Sequence, residues 1–169
     1  GGGVPPDFCS SRCDALYVSD NAKDWHIFSC QVPNDSTSDR DLFSPGFPVI
    51  EFHGHCISYT CESGAGFEYT DPAAPVMAHF SADMKTWESY YTDLPKGLFG
   101  FTVTEADGRL YAIGGAYMSY QGFTSTGYTS TDWVYVSDDG ARWTKVDDYD
   151  HFPGRAYHSA VFFNGSLVV

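Results

Sequence analysis

The chain has few basic residues and no long apolar run. It contains 9 Lys and Arg against 22 Asp and Glu among 169 residues, which gives a formal net charge of -13. Phosphate backbones and anionic lipid surfaces repel a surface of this sign, so the charge balance argues against nucleic-acid binding. No stretch reaches the roughly 18 consecutive apolar residues of a membrane-spanning helix, and no long window has helical periodicity. The sequence therefore predicts no membrane span and no nucleic-acid partner.

Cysteine is missing from the chain after residue 61. The five that occur are Cys9, Cys13, Cys30, Cys56 and Cys61. No CxxC pair is present, which disfavours a zinc site, whereas disulfides would place the protein in an oxidising, extracellular compartment. We expect one disulfide among Cys9, Cys13 and Cys30. Cys56 and Cys61 form a second only if a bulge or turn interrupts their strand, because an offset of five puts them on opposite faces.

Two further features fit secretion. The triplets Asn34-Asp35-Ser36 and Asn164-Gly165-Ser166 match the acceptor pattern for N-glycosylation. The start Gly1-Gly2-Gly3 has no initiator Met, so we expect a mature or truncated end rather than a native start. The sequence predicts a secreted or extracellular glycoprotein.

What the chain has in abundance is aromatic residues and turn formers. Aromatic residues make up 17% of the chain and charged residues 18%, with 17 Gly and 9 Pro. This composition favours short, aromatic-rich strands punctuated by turns over helices. The predicted class is all-β.

A seven-residue cassette occurs three times, at 19–25, 81–87 and 137–143. Each copy has Ser first, Asp or Asn third and Trp seventh, and an apolar, strand-like run precedes each one. Ser, Asp and Asn favour tight turns because their side chains bond to nearby backbone groups. Each cassette therefore predicts a β-hairpin with a polar turn.

A second recurring element alternates with the cassette. It is a strand, an X-Gly pair and another strand, and its turns are His53-Gly54, Asp107-Gly108 and Asn164-Gly165. X-Gly between two apolar runs is a strong signal for a type I′ hairpin, since that turn needs positive φ at both central residues. The two elements together give a unit of four short strands, named a to d in chain order. Four-stranded units that repeat about every 55 residues are typical of propeller blades.

The repeat divides the chain into six parts. We predict an irregular segment at 1–14, a half unit of strands c and d at 15–30, an exposed loop at 31–46, full units at 47–97 and 98–150, and a half unit of strands a and b at 151–169.

Parts of this pattern resemble a kelch repeat. Residues 154–169 are similar to its opening, and residues 107–115 end in its diglycine, Gly114-Gly115. Tyr135 and Trp143 are similar to the Tyr and Trp that follow in that repeat. The first full unit departs from the pattern, with Thr60-Cys61 in place of the diglycine and His79 in place of the Tyr.

The resemblance implies four-stranded antiparallel blades of a kelch-like β-propeller, with strand a next to the axis and strand d outside. The chain holds about three blades' worth of strands, fewer than the typical 4–8. We therefore expect a fragment whose side faces meet missing blades of the same chain or another subunit. Those faces are expected to expose Ile50, Ile113, Val134 and Val161.

The candidate binding residues lie in connections between strands. Antiparallel strands place the b–c and d–a connections at one end of a blade, and both b–c connections, 62–75 and 116–131, are predicted as long loops. The second is uncharged and rich in amphipathic rings and small polar residues, a mixture that suits recognition of proteins or carbohydrates. Its candidate residues are Tyr117, Tyr120, Gln121, Phe123 and Tyr128.

Arg155 and His158 form the one Arg-x-x-His of the kelch pattern. They either line a central channel or stabilise the contact between blades, and the resemblance favours the second role.

Metal sites are weakly indicated. His53 and His55 share one face of a strand, but His53 falls on the turn position that needs positive φ. Asp147, Asp148 and Asp150 lack the distal Glu of a calcium loop. We predict no metal, no cofactor and no catalytic constellation.

The predicted function is a non-catalytic extracellular interaction or structural assembly module. Its partners would be other protein subunits or the missing blades, and glycans are a further candidate. The alternative is a carbohydrate-binding or glycan-acting propeller enzyme whose active site is completed by residues outside this chain.

Overall fold

The computed structural model describes residues 16–19, 21–24, 26–28, 47–61, 74–121 and 124–169. These residues form β-strands, turns and irregular segments and no helix, which confirms the all-β class. No helix in this described part is therefore long and apolar enough to cross a membrane. The predicted sites at Cys9, Cys13, Cys30, Asn34 and Phe123 lie outside the described residues.

The strands are short, as the frequent turn residues lead one to expect. Their bounds are β1 Leu16–Val18, β2 His26–Phe28, β3 Val49–Phe52, β4 His55–Cys61, β5 Val76–Ser81, β6 Glu88–Tyr91, β7 Thr102–Ala106, β8 Arg109–Ile113, β9 Ala116–Gln121, β10 Thr124–Ser130, β11 Val134–Ser137, β12 Thr144–Lys145, β13 Val161–Phe163 and β14 Ser166–Val168.

Two four-stranded antiparallel sheets form the body of the structure. The first sheet has the order β3-β4-β5-β6, and the second sheet has the order β7-β8-β11-β12. Both follow the a-b-c-d arrangement that the repeat predicts. Two further hairpins, β1-β2 and β13-β14, are separate two-stranded sheets among the described residues.

The connection between β8 and β11 differs from the prediction. Residues 116–131 were expected to form a loop, but most of them form an antiparallel ribbon of β9 and β10. A register shift between Ser125 and Gly127 marks a bulge in it. Hydroxyl and aromatic side chains favour strands as well as loops, and pairing satisfies the backbone of a long connection.

The X-Gly turns are type I′, as predicted. The φ angles are 49° and 77° at His53 and Gly54, and 51° and 78° at Asp107 and Gly108. Asn164 has φ of 50°. In both sheets a Glu three residues before the Gly accepts its backbone N–H, with Glu51 at 2.9 Å and Glu105 at 2.7 Å.

The cassettes form turns held by their third residue. Oδ1 of Asp83 accepts the backbone N–H groups of the second and third residues after it, both at 2.8 Å. Asp139 and Asn21 make the same two bonds at 2.7–2.9 Å. The fourth residue of each cassette has positive φ: Ala22, Met84 and Gly140 at 58°, 57° and 84°.

The two sheets pack face to face around Tyr59 on β4. Its side chain is fully buried, and its hydroxyl donates a hydrogen bond to the backbone oxygen of Gly140 at 2.9 Å. Its ring meets Phe101 and Trp143 edge-on, with centroids 5.9 and 6.1 Å apart. Burial, together with the charge of Asp139, raises the pKa of the Tyr59 hydroxyl. The third cassette thus closes its own hairpin and also covers the neighbouring sheet.

The departures of the first sheet from the kelch pattern compensate for each other. Thr60 and His79 replace the residues that correspond to Gly114 and Tyr135 in the second sheet. The buried His79 ring bonds to Thr60 Oγ1 through Nε2 and to Ser89 Oγ through Nδ1, both at 2.7 Å. This network joins β4, β5 and β6 across the sheet, so the two substitutions form one feature.

Cys56 and Cys61 do not form a disulfide with each other. The condition for that bond, an interruption between them, is not met because β4 is continuous from His55 to Cys61. Five residues of strand span roughly 16 Å, far beyond the Cα separation of about 7 Å that a disulfide allows. The Cys61 thiol instead donates to the backbone oxygen of Ala74 at 3.6 Å.

The expected exposure of the side faces holds only in part. Val161 is 55% exposed, but Ile113 is 1% exposed, and Ile50 and Val134 are half-buried. The prediction for Ile113 was wrong because the chain entering β13 runs back along the second sheet, where the Gly115 amide donates to the backbone oxygen of Arg155.

Candidate functional site

The candidate site lies at the end of the sheets from which the β9-β10 ribbon projects. The ribbon is anchored at its base by two backbone hydrogen bonds between Phe99 and Ala116, at 3.0 and 2.8 Å. Register pairs Tyr117 with Thr129 and Met118 with Tyr128. The two hydrogen bonds between Phe99 and Ala116 hold the ribbon against the connection between the two sheets.

Tyr117 lines a small cleft at the base of the ribbon. The cleft has a volume of about 220 Å³ and is lined by Pro95, Lys96, Leu98, Tyr117, Met118 and Trp133. The rings of Tyr117 and Trp133 are nearly parallel, with centroids 5.9 Å apart and an interplanar angle of 11°. The cleft therefore combines two flat aromatic rings, apolar walls and one cationic side chain.

Tyr128 presents a second aromatic surface beside the cleft. Its side chain is exposed, and its ring lies edge-on to the buried Phe99 with centroids 6.4 Å apart. Phe99 also contacts Tyr157 at 6.1 Å. Burial, followed by the charge of Tyr128, raises the pKa of Tyr157.

Tyr120 and Gln121 belong to β9, where they pair with Ser125 and Thr124. Their side chains are outside what the structure describes. The structure thus brings Tyr117 and Tyr128 to one end of the second sheet. The role of Tyr120, Gln121 and Phe123 in binding stays a prediction.

Arg155 is held by backbone carbonyls and an aromatic ring. Its guanidinium donates to the backbone oxygens of Pro153 at 3.3 Å and Val169 at 3.0 Å, and it lies 5.2 Å from the centre of the Phe152 ring. Its own backbone oxygen accepts the Gly115 N–H at 2.8 Å. Arg155 therefore fastens the start of the half unit at 151–169 to the second sheet.

His158 packs against the diglycine. A Cβ on Gly114 would lie 2.8 Å from His158 Cε1 and 2.6 Å from the backbone oxygen of Arg155. Gly114 also has a φ of 65°, so both space and backbone conformation require glycine. Both ring nitrogens of His158 are buried without a hydrogen-bond partner among the described residues. Burial, and then the charge of Arg155, lowers its pKa.

Five of the six cleft residues were not named from the sequence. Pro95, Lys96 and Leu98 come from the connection between the sheets, Met118 lies on β9, and Trp133 directly precedes β11. No local pattern unites them, because the fold assembles the cleft from three separate segments. Trp133, a large aromatic next to a turn, was the one usable signal.

A wider cleft of about 350 Å³ lies at the opposite, X-Gly end of the first sheet. Its lining includes His55, Thr86, Glu88 and Tyr90. Tyr90 donates its hydroxyl proton to Glu88 at 2.7 Å, and that hydrogen bond, with the charge of Glu88, raises the pKa of Tyr90.

Three of the residues weighed as metal ligands have other contacts. The His53 ring stacks on Phe52 with centroids 3.9 Å apart, and His55 Nδ1 lies 3.2 Å from the backbone oxygen of His53. Asp147 lies 3.6 Å from the Lys145 ammonium. Within the described ranges, no group of three or more His, Cys, Asp or Glu side chains is placed to hold a metal ion.

A comparison of the chain with protein-family models found no match, and neither did a comparison with curated protein sequences.

Proposed function

We propose that the two sheets are blades of a kelch-like β-propeller and that the chain is a non-catalytic extracellular interaction module. The a-b-c-d order of both sheets, the type I′ a–b turns and the packing of the next unit on Gly114-Gly115 support the blade assignment. The first and second sheets are then the first and second blades.

The observation that carries the recognition function is the paired aromatic cleft. Tyr117 and Trp133 present nearly parallel rings beside Lys96 in a cleft of about 220 Å³, which fits one large side chain. Buried aromatic anchors dominate the binding energy of many interfaces. Tyr117 is 37% exposed, so it can contribute to binding without being essential for packing. The proposed ligand is a peptide segment of a partner protein that inserts an apolar or aromatic side chain.

Selection from a displayed peptide library tests this proposal. Peptides enriched on the wild-type chain should bind Tyr117→Ala at least tenfold more weakly, an effect of roughly 1.4 kcal/mol or more. Tyr90→Ala is the matched control, because Tyr90 is a similarly exposed tyrosine that lines the other cleft. Failure to enrich any sequence, or enrichment of peptides that bind Tyr117→Ala equally well, would reject the cleft as the recognition site.

A carbohydrate-binding function is the second candidate. The flat pair of rings favours it, since amphipathic aromatic side chains suit the apolar face of a sugar as well as a side chain. An array of soluble oligosaccharides read with the same two variants distinguishes the candidates. Binding of a glycan that is lost in Tyr117→Ala and kept in Tyr90→Ala would select this function.

Secretion and N-glycosylation are part of the same proposal. Asn164 supports them because it is exposed at the tip of the β13-β14 turn. Expression through a secretory pathway should give a product whose mass falls on enzymatic deglycosylation and whose Asn164→Gln variant lacks that glycan.

A further inference from the structure

The cleft at the X-Gly end of the first sheet has a counterpart in the second sheet, where an ion pair bridges the same two turns. Arg109 directly follows the turn glycine, and Asp138 is the second residue of the cassette. The Arg109 guanidinium donates to both carboxylate oxygens of Asp138, through Nε at 2.6 Å and through Nη2 at 3.4 Å. The second sheet therefore seats a guanidinium group between its a–b turn and its cassette turn.

The first sheet lacks both members of this pair. His55 occupies the position of Arg109, because the strands next to the two turn glycines pair in the same register. Ala82 occupies the position of Asp138, because both follow the cassette Ser, which pairs alike in the two sheets. His55 and Ala82 are exposed and line the cleft of about 350 Å³, which we call the X-Gly cleft. Ala82 cannot form an ion pair, so the space between the two turns stays open.

A carboxylate lies in the X-Gly cleft. It belongs to Glu88, at the position that Thr144 occupies in the second sheet. The Tyr90 hydroxyl donates to Oε2 of Glu88 at 2.7 Å, which orients the carboxylate. Among the described residues, Oε1 of Glu88 accepts no hydrogen bond, and no Lys, Arg or His forms an ion pair with this carboxylate. The cleft thus presents an oriented anion with one oxygen available to a ligand.

Two aromatic rings form a wall of the same cleft. Phe80 and Tyr90 meet edge-on, with centroids 5.6 Å apart and an interplanar angle of 78°. Tyr90 is 47% exposed, so a ligand can reach its ring. Aromatic faces attract cations, and arginine is found there more often than lysine. Arginine also forms planar, two-bond pairs with carboxylates, whereas lysine offers a point charge. The combination of Glu88 and Tyr90 therefore suits a guanidinium group.

We propose that the X-Gly cleft binds an arginine side chain of a partner protein, which takes the place that Arg109 has in the second sheet. The guanidinium donates to Oε1 of Glu88 and lies against the Tyr90 ring. In the adjoining turn, the charges of Asp83 and Lys85 offset each other, so Glu88 supplies the local negative charge. The net charge of -13 attracts a basic segment of the partner over a longer range.

Titration with the peptide acetyl-Gly-Arg-Gly-amide, followed by the NMR shifts of backbone amides, tests the proposal. The probe is used at millimolar concentration, because a single side chain binds weakly. We expect saturable shifts at Ala82 and Glu88, smaller shifts with the corresponding lysine peptide, and none with the citrulline peptide, whose side chain is uncharged. Absence of saturable shifts at these residues, or an equal response to the lysine or citrulline peptide, overturns the proposal.

A pair of charge variants distinguishes the site from general attraction to an acidic chain. Glu88→Gln should weaken arginine binding about tenfold, because the amide cannot form the ion pair. Asp148→Asn is the matched control, since it removes one negative charge at an exposed position after β12. It should leave the affinity for the arginine peptide unchanged. Equal losses in the two variants would mean that the chain attracts cations without a site at Glu88.

A double variant tests the comparison with the second sheet. His55→Arg combined with Ala82→Asp rebuilds the bridging ion pair in the first sheet, while the net charge and Glu88 are kept. Its own guanidinium should then occupy the X-Gly cleft and abolish the saturable shifts, and a thermal melt checks that the variant is folded. Undiminished binding of the arginine peptide by the folded double variant would contradict the proposed place of the ligand.

This site is separate from the aromatic cleft. Tyr90→Ala should weaken binding of the arginine peptide and leave the peptide binding that depends on Tyr117, whereas Tyr117→Ala should do the reverse. The two proposals can therefore fail separately. Unchanged binding of the arginine peptide by Tyr90→Ala would remove the aromatic wall from the proposed site and overturn it.

Discussion

At the scale of single residues, the third position of the cassette is where sequence and structure agree most closely. An acceptor oxygen at Asn21, Asp83 or Asp139 takes the same two backbone N–H groups. Asn serves as well as Asp, so the oxygen matters more than the charge. Asp83→Ala should lower the melting temperature at neutral pH, and Asp83→Asn should restore most of the loss. Equal losses in a thermal melt would show that the turn does not depend on these bonds.

The pH dependence of stability distinguishes the effect of the negative charge on Asp83 from that of its hydrogen-bonding oxygen. Hydrogen bonds from the backbone N–H groups of Thr86 and then Lys85 lower the pKa of Asp83 to about 2, whereas an unfolded Asp has a pKa of about 4. Because the folded-state pKa is the lower one, the stabilisation is complete above about pH 4 and is lost as the pH falls towards about 2. Urea unfolding at pH 6 and pH 3 should show a smaller decrease for Asp83→Asn than for the wild-type chain. An identical decrease in the free energy of unfolding for both chains would show that the pKa of Asp83 is not lowered in the folded state.

The cassette pattern does not predict why Gly140 is required, because the reason is its close packing against the first sheet. Its φ is 84°, and a Cβ there would lie 2.9 Å from Ile57 Cδ1 and 3.3 Å from the Tyr59 hydroxyl. Gly140→Ala should cost roughly 2–4 kcal/mol, from backbone strain plus overpacking. Gly54→Ala is the matched control, because φ is 77° and no atom lies within 4 Å, so strain alone should cost about 1–2 kcal/mol. Equal free energies of unfolding for the two variants would show that the close contact is unimportant.

Turn chemistry is local, and so the sequence predicts it well. The residue types Gly, Asn and Asp are sufficient to predict the positive-φ positions at Asp107-Gly108 and Asn164-Gly165. Met84 and Ala22 were not predicted, because their left-handed backbone is imposed by the neighbouring hydrogen bonds rather than by their own preference.

At the scale of elements, the hydrogen-bond network through His79 ties three strands of the first sheet together. Thr60→Val removes the partner of a buried ring nitrogen and should destabilise the chain by about 1–3 kcal/mol. Ser89→Ala should cost less, because Ser89 is exposed and water can replace its hydroxyl. Chemical denaturation of both variants measures the difference. A larger effect of Ser89→Ala would mean that the network is not what holds β4 to β5.

One element differed from the prediction, and the condition of one conditional prediction was not met, in both cases for physical reasons. The β9-β10 ribbon was predicted as a loop because Ser, Thr and Gly suit turns, yet a sixteen-residue connection can satisfy its backbone by pairing with itself. Cys56 and Cys61 were given a conditional disulfide, and the seven-residue β4 removes the condition. The length of β4 depends on its pairing with β5, and the local sequence of β4 does not predict that pairing.

At the scale of the whole molecule, composition predicted the all-β class. Repeat periodicity predicted the four-strand order, because one supersecondary unit recurs with the same turns. The aromatic cleft was not predicted, since Lys96, Tyr117 and Trp133 are brought together only by the packing of separate connections.

A crystal structure of the purified 169-residue chain tests the blade arrangement most directly. We expect the two four-stranded sheets to pack side by side as neighbouring blades, with β3 and β7 adjacent on the axis side and β6 and β12 outermost. We also expect the β13-β14 hairpin to start the next blade on Gly114-Gly115. A closed sandwich of the two sheets, in which β3 and β7 lie far apart, would contradict the arrangement.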